Sequence, residues 1–124
     1  MSGSLLSVNA LSTLPAATTG ERQVADLFAD LGTVARVVGK AIRTPPGEGS
    51  PAGRHSHEFD QVFVVLSGTM LIEIDDEVTA AGPGSVVMFP AGRRHRHWNE
   101  GPADTEHVVV NIHQRDPAQP GSAN

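Results

Sequence analysis

The chain contains no cysteine, which excludes disulfides, zinc–thiolate sites and cysteine nucleophiles. Any bound metal must therefore be held by histidine, carboxylate or amide ligands. Lysine is almost missing: Lys40 is the only one among nine basic residues, against 14 acidic ones and a net charge of −5. That balance argues against nucleic acid as a partner, because neutralising phosphates needs clustered Lys and Arg. Charged residues are 19% of the chain, which speaks against a disordered polymer. Aromatics are few (Phe28, Phe59, Phe63, Phe89 and Trp98), so a large stacked cofactor is not expected. Long apolar runs are absent as well. The longest, Val62 to Leu66, is far short of the ~20 residues of a spanning helix. The start, Met1 to Ser7, has neither a basic n-region nor an apolar h-region. A soluble, cytoplasmic protein with no membrane partner is the expectation.

What is present points to strands. A chain of 124 residues makes one domain and can bury a core without staples. Val, Gly, Thr and Pro are prominent, which favours an all-β fold. Short β-rich runs recur with turn signals between them: 34–38 with an extension to 43, 61–66, 69–74, 77–80, 85–89, 94–98 and 107–113. The breakers are the loop from Thr44 to Gly53, Ser67-Gly68, Asp75-Asp76, Gly82-Pro83-Gly84, Pro90-Ala91-Gly92 and Asn99 to Pro102. Such spacing is the signature of a sandwich or barrel. Residues 33–115 form this barrel, preceded by an arm over 1–32 and followed by a flexible tail over 116–124. Within the arm, Val24, Leu27, Phe28 and Leu31 fall at i, i+3, i+4 and i+7, which predicts a helix over 21–31 stopped by Gly32.

All six histidines lie between positions 55 and 113, and four form two His-X-His pairs, His55/His57 and His95/His97. In a strand, residues i and i+2 share a face, so each pair can converge on one point, as metal ligands must. Imidazole suits Zn, Cu, Fe and Ni.

Gly49 through Gly68, centred on His55-Ser56-His57 and Gln61, resembles the first cupin motif, G(X)5HXH(X)3–4E(X)6G, with Gln61 standing where Glu is usual. Gly84 through Asn99 is similar to the second, G(X)5PXG(X)2H(X)3N, at every fixed position including Pro90, Gly92 and His95. The chain thus looks like a small single-domain member of the cupin superfamily. The resemblance implies an RmlC-like jelly-roll β-barrel, often a homodimer. It also implies one divalent transition metal per chain (Zn, Ni, Fe or Mn) on His55, His57, Gln61 and His95. A metal-free binding barrel is the alternative, but such relatives usually lose the ligand histidines that this chain keeps.

Gln61 matters for chemistry. An amide oxygen can ligate but carries no charge and cannot act as a base. Three imidazoles and an amide leave a divalent site near +2, which favours Lewis-acid work on a carbonyl, enol or sugar-acid substrate. Isomerase, lyase and cyclase outcomes all fit. A dioxygenase of an enolised substrate ranks second, and a non-catalytic small-molecule-binding cupin third. His97 shares parity with His95 and is either a general acid/base near its ordinary pKa or a rim residue. Arg93, Arg94 and Arg96 either attract an anionic substrate or form a solvated turn paired with carboxylates. Glu58 and Asp60 have the wrong parity to reach the ligands. On the last strand, Val108, Val110 and Ile112 are expected inward, with His107, Asn111 and His113 outward. Asn99 is read as structural. The apolar residues of the arm, Leu5, Leu6, Val8, Leu11 and Leu14, suggest that it covers a neighbouring copy.

Overall fold

A computed structural model describes residues 21–31, 34–50 and 55–114; the arm over 1–20 and the tail over 116–124 lie outside them. The eight strands are β1 (Gln23–Leu31), β2 (Ala35–Thr44), β3 (Asp60–Ser67), β4 (Met70–Ile74), β5 (Glu77–Ala81), β6 (Val86–Phe89), β7 (His95–Trp98) and β8 (Thr105–Gln114). They form a five-stranded sheet, β1-β2-β8-β3-β6, and a three-stranded sheet, β5-β4-β7. Every strand pairing is antiparallel, and together the sheets make a jelly roll. The core between them is Ile42, Phe63, Val65, Met70, Ile72, Ala81, Phe89 and Val109.

Residues 21–31 are not a helix but an edge strand. Its pairing with β2 shifts register between Asp26 and Phe28 and again between Phe28 and Leu31. Each irregularity adds residues to one strand only, so apolar residues spaced by three and four still meet the sheet. Phe28 lies directly over Gly39, where any Cβ would run into its ring. That fit keeps β2 continuous through a glycine that otherwise weakens a strand.

The hairpin between β4 and β5 turns on Asp75 and Asp76, both at positive φ (48° and 72°). Two consecutive left-handed residues give the turn that matches strand twist. Gly68, at φ 73°, is needed for a second reason: a Cβ there would come within 2.5 Å of the Asp104 carbonyl oxygen.

The two faces of β8 are the reverse of what its hydrophobicity suggests. His107 is fully buried and Val109 nearly so, while Val108, Val110 and Ile112 are only half-buried. The register explains this. Val108 and Val110 sit beside Val64 and Val62, which pair with Val86 and Met88, so valines line the sheet's outer face. The inner face carries polar groups because the barrel interior holds the site.

Candidate metal centre

The first motif is strapped to β7 by backbone bonds. His55 and His95 exchange both, His55 N donating to His95 O at 2.9 Å and His95 N to His55 O at 2.8 Å. Ser50 N donates to His97 O at 2.9 Å, and Gly92 N to His57 O at 2.8 Å. Residues forty positions apart are thereby fixed side by side, and their side chains converge. Ring centroids are 4.6 Å apart for His55–His57, 4.5 Å for His55–His95 and 5.3 Å for His57–His95. One nitrogen from each ring lies within 4.8 Å of the others, close to the span that ~2.1 Å imidazole–metal bonds require.

His95 carries the clearest sign of an intended ligand. Its Nδ1 lies 3.2 Å from the Arg93 carbonyl, which as an acceptor selects the Nδ1–H tautomer and frees the Nε2 lone pair. Nε2 is buried with no hydrogen-bond partner, an arrangement that is costly unless something binds there. Burial pushes the His95 imidazole below its usual pKa; the Arg93 carbonyl opposes this, and His55 and His57 add to it. Burial, His55 and His113 do the same to His57. Both rings are held in the neutral form that metals bind.

Gln61 completes the set. Its Nε2 donates to Asn111 Oδ1 at 2.8 Å, while Oε1 is buried and unpartnered. The amide therefore turns its oxygen, the ligating atom, away from the one partner it has. His55, His57, Gln61 and His97 line a single cavity of about 190 Å³ with Ile42, Phe63 and Val109. His55 and His57 thus face both His95, in the triad, and Gln61, across the cavity, and the donor set fits a borderline divalent ion.

Three supporting residues were misplaced or given no role by the sequence reading: Asn111 and His113, expected outward, and Phe59. Asn111 faces inward and orients Gln61. Phe59 stacks on His57 (4.5 Å, 14°), and His113 packs against Phe59 at 4.2 Å, bracing the His57 ring. The inward parity of Asn111 and His113 follows from β8 pairing with β3, in which Asn111 stands opposite Gln61.

His97 is 5% exposed, and neither ring nitrogen has a partner. Burial, then His107, Arg22, His55 and His95, lower its pKa to about 3. It is a neutral imidazole rather than a group titrating near its ordinary value. The arginine run does not enter the cavity: Arg93 pairs with Asp75, and Arg96 with Glu73 at 2.6 Å while lying over the Trp98 ring. Glu58 and Asp60 are exposed, and Asp60 Oδ1 accepts from Ala91 N at 2.9 Å, fixing the turn before β7.

His107 lies deeper, its ring 4.4 Å from that of Phe63 and 5.3 Å from that of His97. Burial, and then the Arg22 charge, lower its pKa to about 3. The folded value lies below the unfolded one, so the unfolded chain takes up the proton first. The stability this contributes is complete above about pH 6.5 and is lost as pH falls towards 3, by about 1.4 kcal/mol per pH unit. His107→Leu should remove that slope. Denaturant unfolding of metal-free protein at pH 7 and pH 4.5 should show the variant losing about 2 kcal/mol less than the wild type. An equal loss in both would contradict the assignment.

The comparisons with known proteins agree with this geometry. Residues 41–112 match the family model for the cupin domain. A Myxococcus xanthus protein named endoribonuclease YbeY is 35% identical over 72 residues, 58% of this chain. The match spans only 22% of that protein, so its name describes a much larger whole. Among solved structures, a predicted oxalate decarboxylase from Thermotoga maritima superposes with a TM-score of 0.72 at 22% identity, covering 86% of this chain and 98% of its own. KdgF from Halomonas sp. superposes at 0.70 with 18% identity, covering 91% and 100%. At those identities the likeness is one of fold. Two-sheet topology, both motifs in register and a convergent histidine triad lead to one conclusion: the chain belongs to the cupin domain family.

Proposed function

We propose that this cupin is a metal-dependent enzyme in which a divalent ion acts as a Lewis acid on a carbonyl, enol or sugar-acid substrate, giving an isomerase-, lyase- or cyclase-type reaction. The observation that carries the reading is the unpartnered Oε1 of Gln61 beside the imidazoles of the histidine triad. This donor set contributes no negative charge. An ion bound there keeps its full charge and polarises a substrate oxygen. The chain's own groups supply the rest. Ile42, Phe63 and Val109 wall the cavity, and His97, with neither nitrogen engaged, is the neutral imidazole assigned to hydrogen-bond and orient the substrate. A second copy of the chain is the proposed partner for the valine-rich outer sheet face, where Val86 and Met88 are 67% and 51% exposed. Light scattering at micromolar concentration should give the dimer mass; a monomer mass would contradict that assignment.

The test of the reaction class is turnover on a panel of diketones, flavonols and unsaturated sugar acids, with and without oxygen. Turnover should be indifferent to oxygen and supported by Zn or Ni as well as by Fe or Mn. Gln61→Glu adds a negative charge beside the metal, so activity should fall by on the order of tenfold, about 1.4 kcal/mol of barrier, while metal stays bound. Stoichiometric oxygen uptake, with Gln61→Glu tolerated, would instead establish the dioxygenase. Absence of turnover on the whole panel would favour the non-catalytic, ligand-binding reading.

A further inference from the structure

The cavity lined by His55 and His57 of the triad is also lined by Arg22 and Lys40, and no carboxylate among the described residues lines it. Both cations project from the inner face of the β1–β2 edge. Lys40 stands opposite Val109 of β8, and Arg22 precedes Val24, which is paired with Ile42. Arg22 is half-buried with no ion pair to any described carboxylate, and its Nε is buried without a hydrogen-bond partner. Burial lowers its pKa, a cost that a bound anion would offset. Asp26 is the cross-strand neighbour of Lys40 but is not among the cavity-lining residues. Two further polar groups lining the space are uncharged and unpartnered: His97 at 5% exposure with both nitrogens free, and Gln61 at 8% with Oε1 free. Two cations and two unsatisfied neutral side chains around one cavity make an anion site. Arg93 and Arg96, outside this cavity, pair with Asp75 and Glu73.

From this we infer that the ligand is a small organic carboxylate, its acid group held by Arg22 and Lys40 and its remaining oxygens directed to the histidine triad. Size limits the class. A cavity of about 150 Å³ takes benzene, so one of about 190 Å³ takes a short-chain oxo-, hydroxy- or dicarboxylic acid rather than a polycyclic substrate. Arg22 contributes geometry as well as charge, because its planar fork matches a carboxylate with two parallel hydrogen bonds. This inference rests on the cavity being the substrate site of the proposed enzyme, but it does not depend on which reaction follows.

Calorimetric titration of the full-length chain with malonate, succinate and 2-oxoglutarate, with succinamide and sulfate as controls, tests it. The titrations are run on metal-loaded and metal-free protein, with metal content measured separately. At least one of the acids should bind, succinamide should not, and sulfate should bind more weakly than the acid. Arg22→Met should weaken the acid at least tenfold with metal content unchanged, and Arg22→Lys should recover part of the loss. Acid and diamide binding alike, no acid binding at all, or an Arg22→Met variant that binds like the wild type would overturn the inference, even if the triad holds its metal. Sulfate binding as tightly as the acid would show an unspecific anion hole and overturn the carboxylate class. Arg22-dependent acid binding in a chain that takes up no metal would uphold the anion site and remove the metal reading instead.

Discussion

His95→Ala should strip the protein of its metal while leaving the barrel folded. The Nε2 of His95 is buried and unpartnered, and its tautomer is set by the Arg93 carbonyl. Truncation therefore removes one of three imidazole donors and leaves nothing to replace it. Losing a group that merely supports a metal ligand costs about 10–100-fold in affinity, so losing the ligand should cost more than 100-fold. Elemental analysis after dialysis should show occupancy falling from near one ion per chain to a small fraction. The ring also packs against Phe89 at 4.4 Å, so some stability is lost with it. His55→Ala, at a half-buried position, separates the two effects, since it should lose metal equally with less change in melting temperature. Wild-type metal content in both variants would contradict the assignment.

Asn99→Ala should be among the most destabilising single changes in the chain, though it touches neither ligand nor cavity wall. The side chain is 1% exposed. Its Nδ2 donates to Thr44 O at 2.9 Å and to Ala103 O at 2.8 Å, and its Oδ1 accepts from Gly101 N at 2.9 Å. Each backbone group left buried without a partner costs ~1–3 kcal/mol. Thr44 O, the fully buried one, keeps a weak bond from Thr105 Oγ1 at 3.5 Å, so the part-buried Ala103 O and Gly101 N bear most of the loss. A total of about 3 kcal/mol, at roughly 3–5 °C per kcal/mol for a domain of this size, lowers Tm by on the order of 10 °C. Asn99→Asp should be no better, because it sets a carboxylate oxygen against the two carbonyls that now receive Nδ2. Thermal unfolding of the metal-free proteins is the measurement, and a fall of a degree or two would show that the neighbouring loop relaxes to satisfy itself.

Much of the barrel was legible because its turns are written in residues with few conformational alternatives. Asp75-Asp76, Gly68 and Gly84 mark their bends locally, and the two motifs carry His55, His57, Gln61 and His95 to one place. Two elements were not legible, for different reasons. β1 carries helix-like spacing because its irregular register absorbs the extra residues, and only the partner strand reveals that. The polarity of β8 misleads because the usual rule, apolar side inward, assumes a dry interior. Here the interior holds the site, and His107 and Asn111 face it while Val108 and Val110 face out. Arg22 and Lys40 stood out in the sequence neither by motif nor by clustering. They become meaningful only when the β1–β2 edge brings them to the cavity that holds the histidines.

The central claim is a single divalent ion shared by His55, His57 and His95 with Gln61. Anomalous diffraction at the absorption edge of the bound metal, from crystals of protein loaded with one equivalent, tests it most directly. The account predicts one peak per chain among the three imidazoles, in bonding contact with His95 Nε2 and Gln61 Oε1. A peak elsewhere on the molecule, or none at the triad after loading, would contradict it.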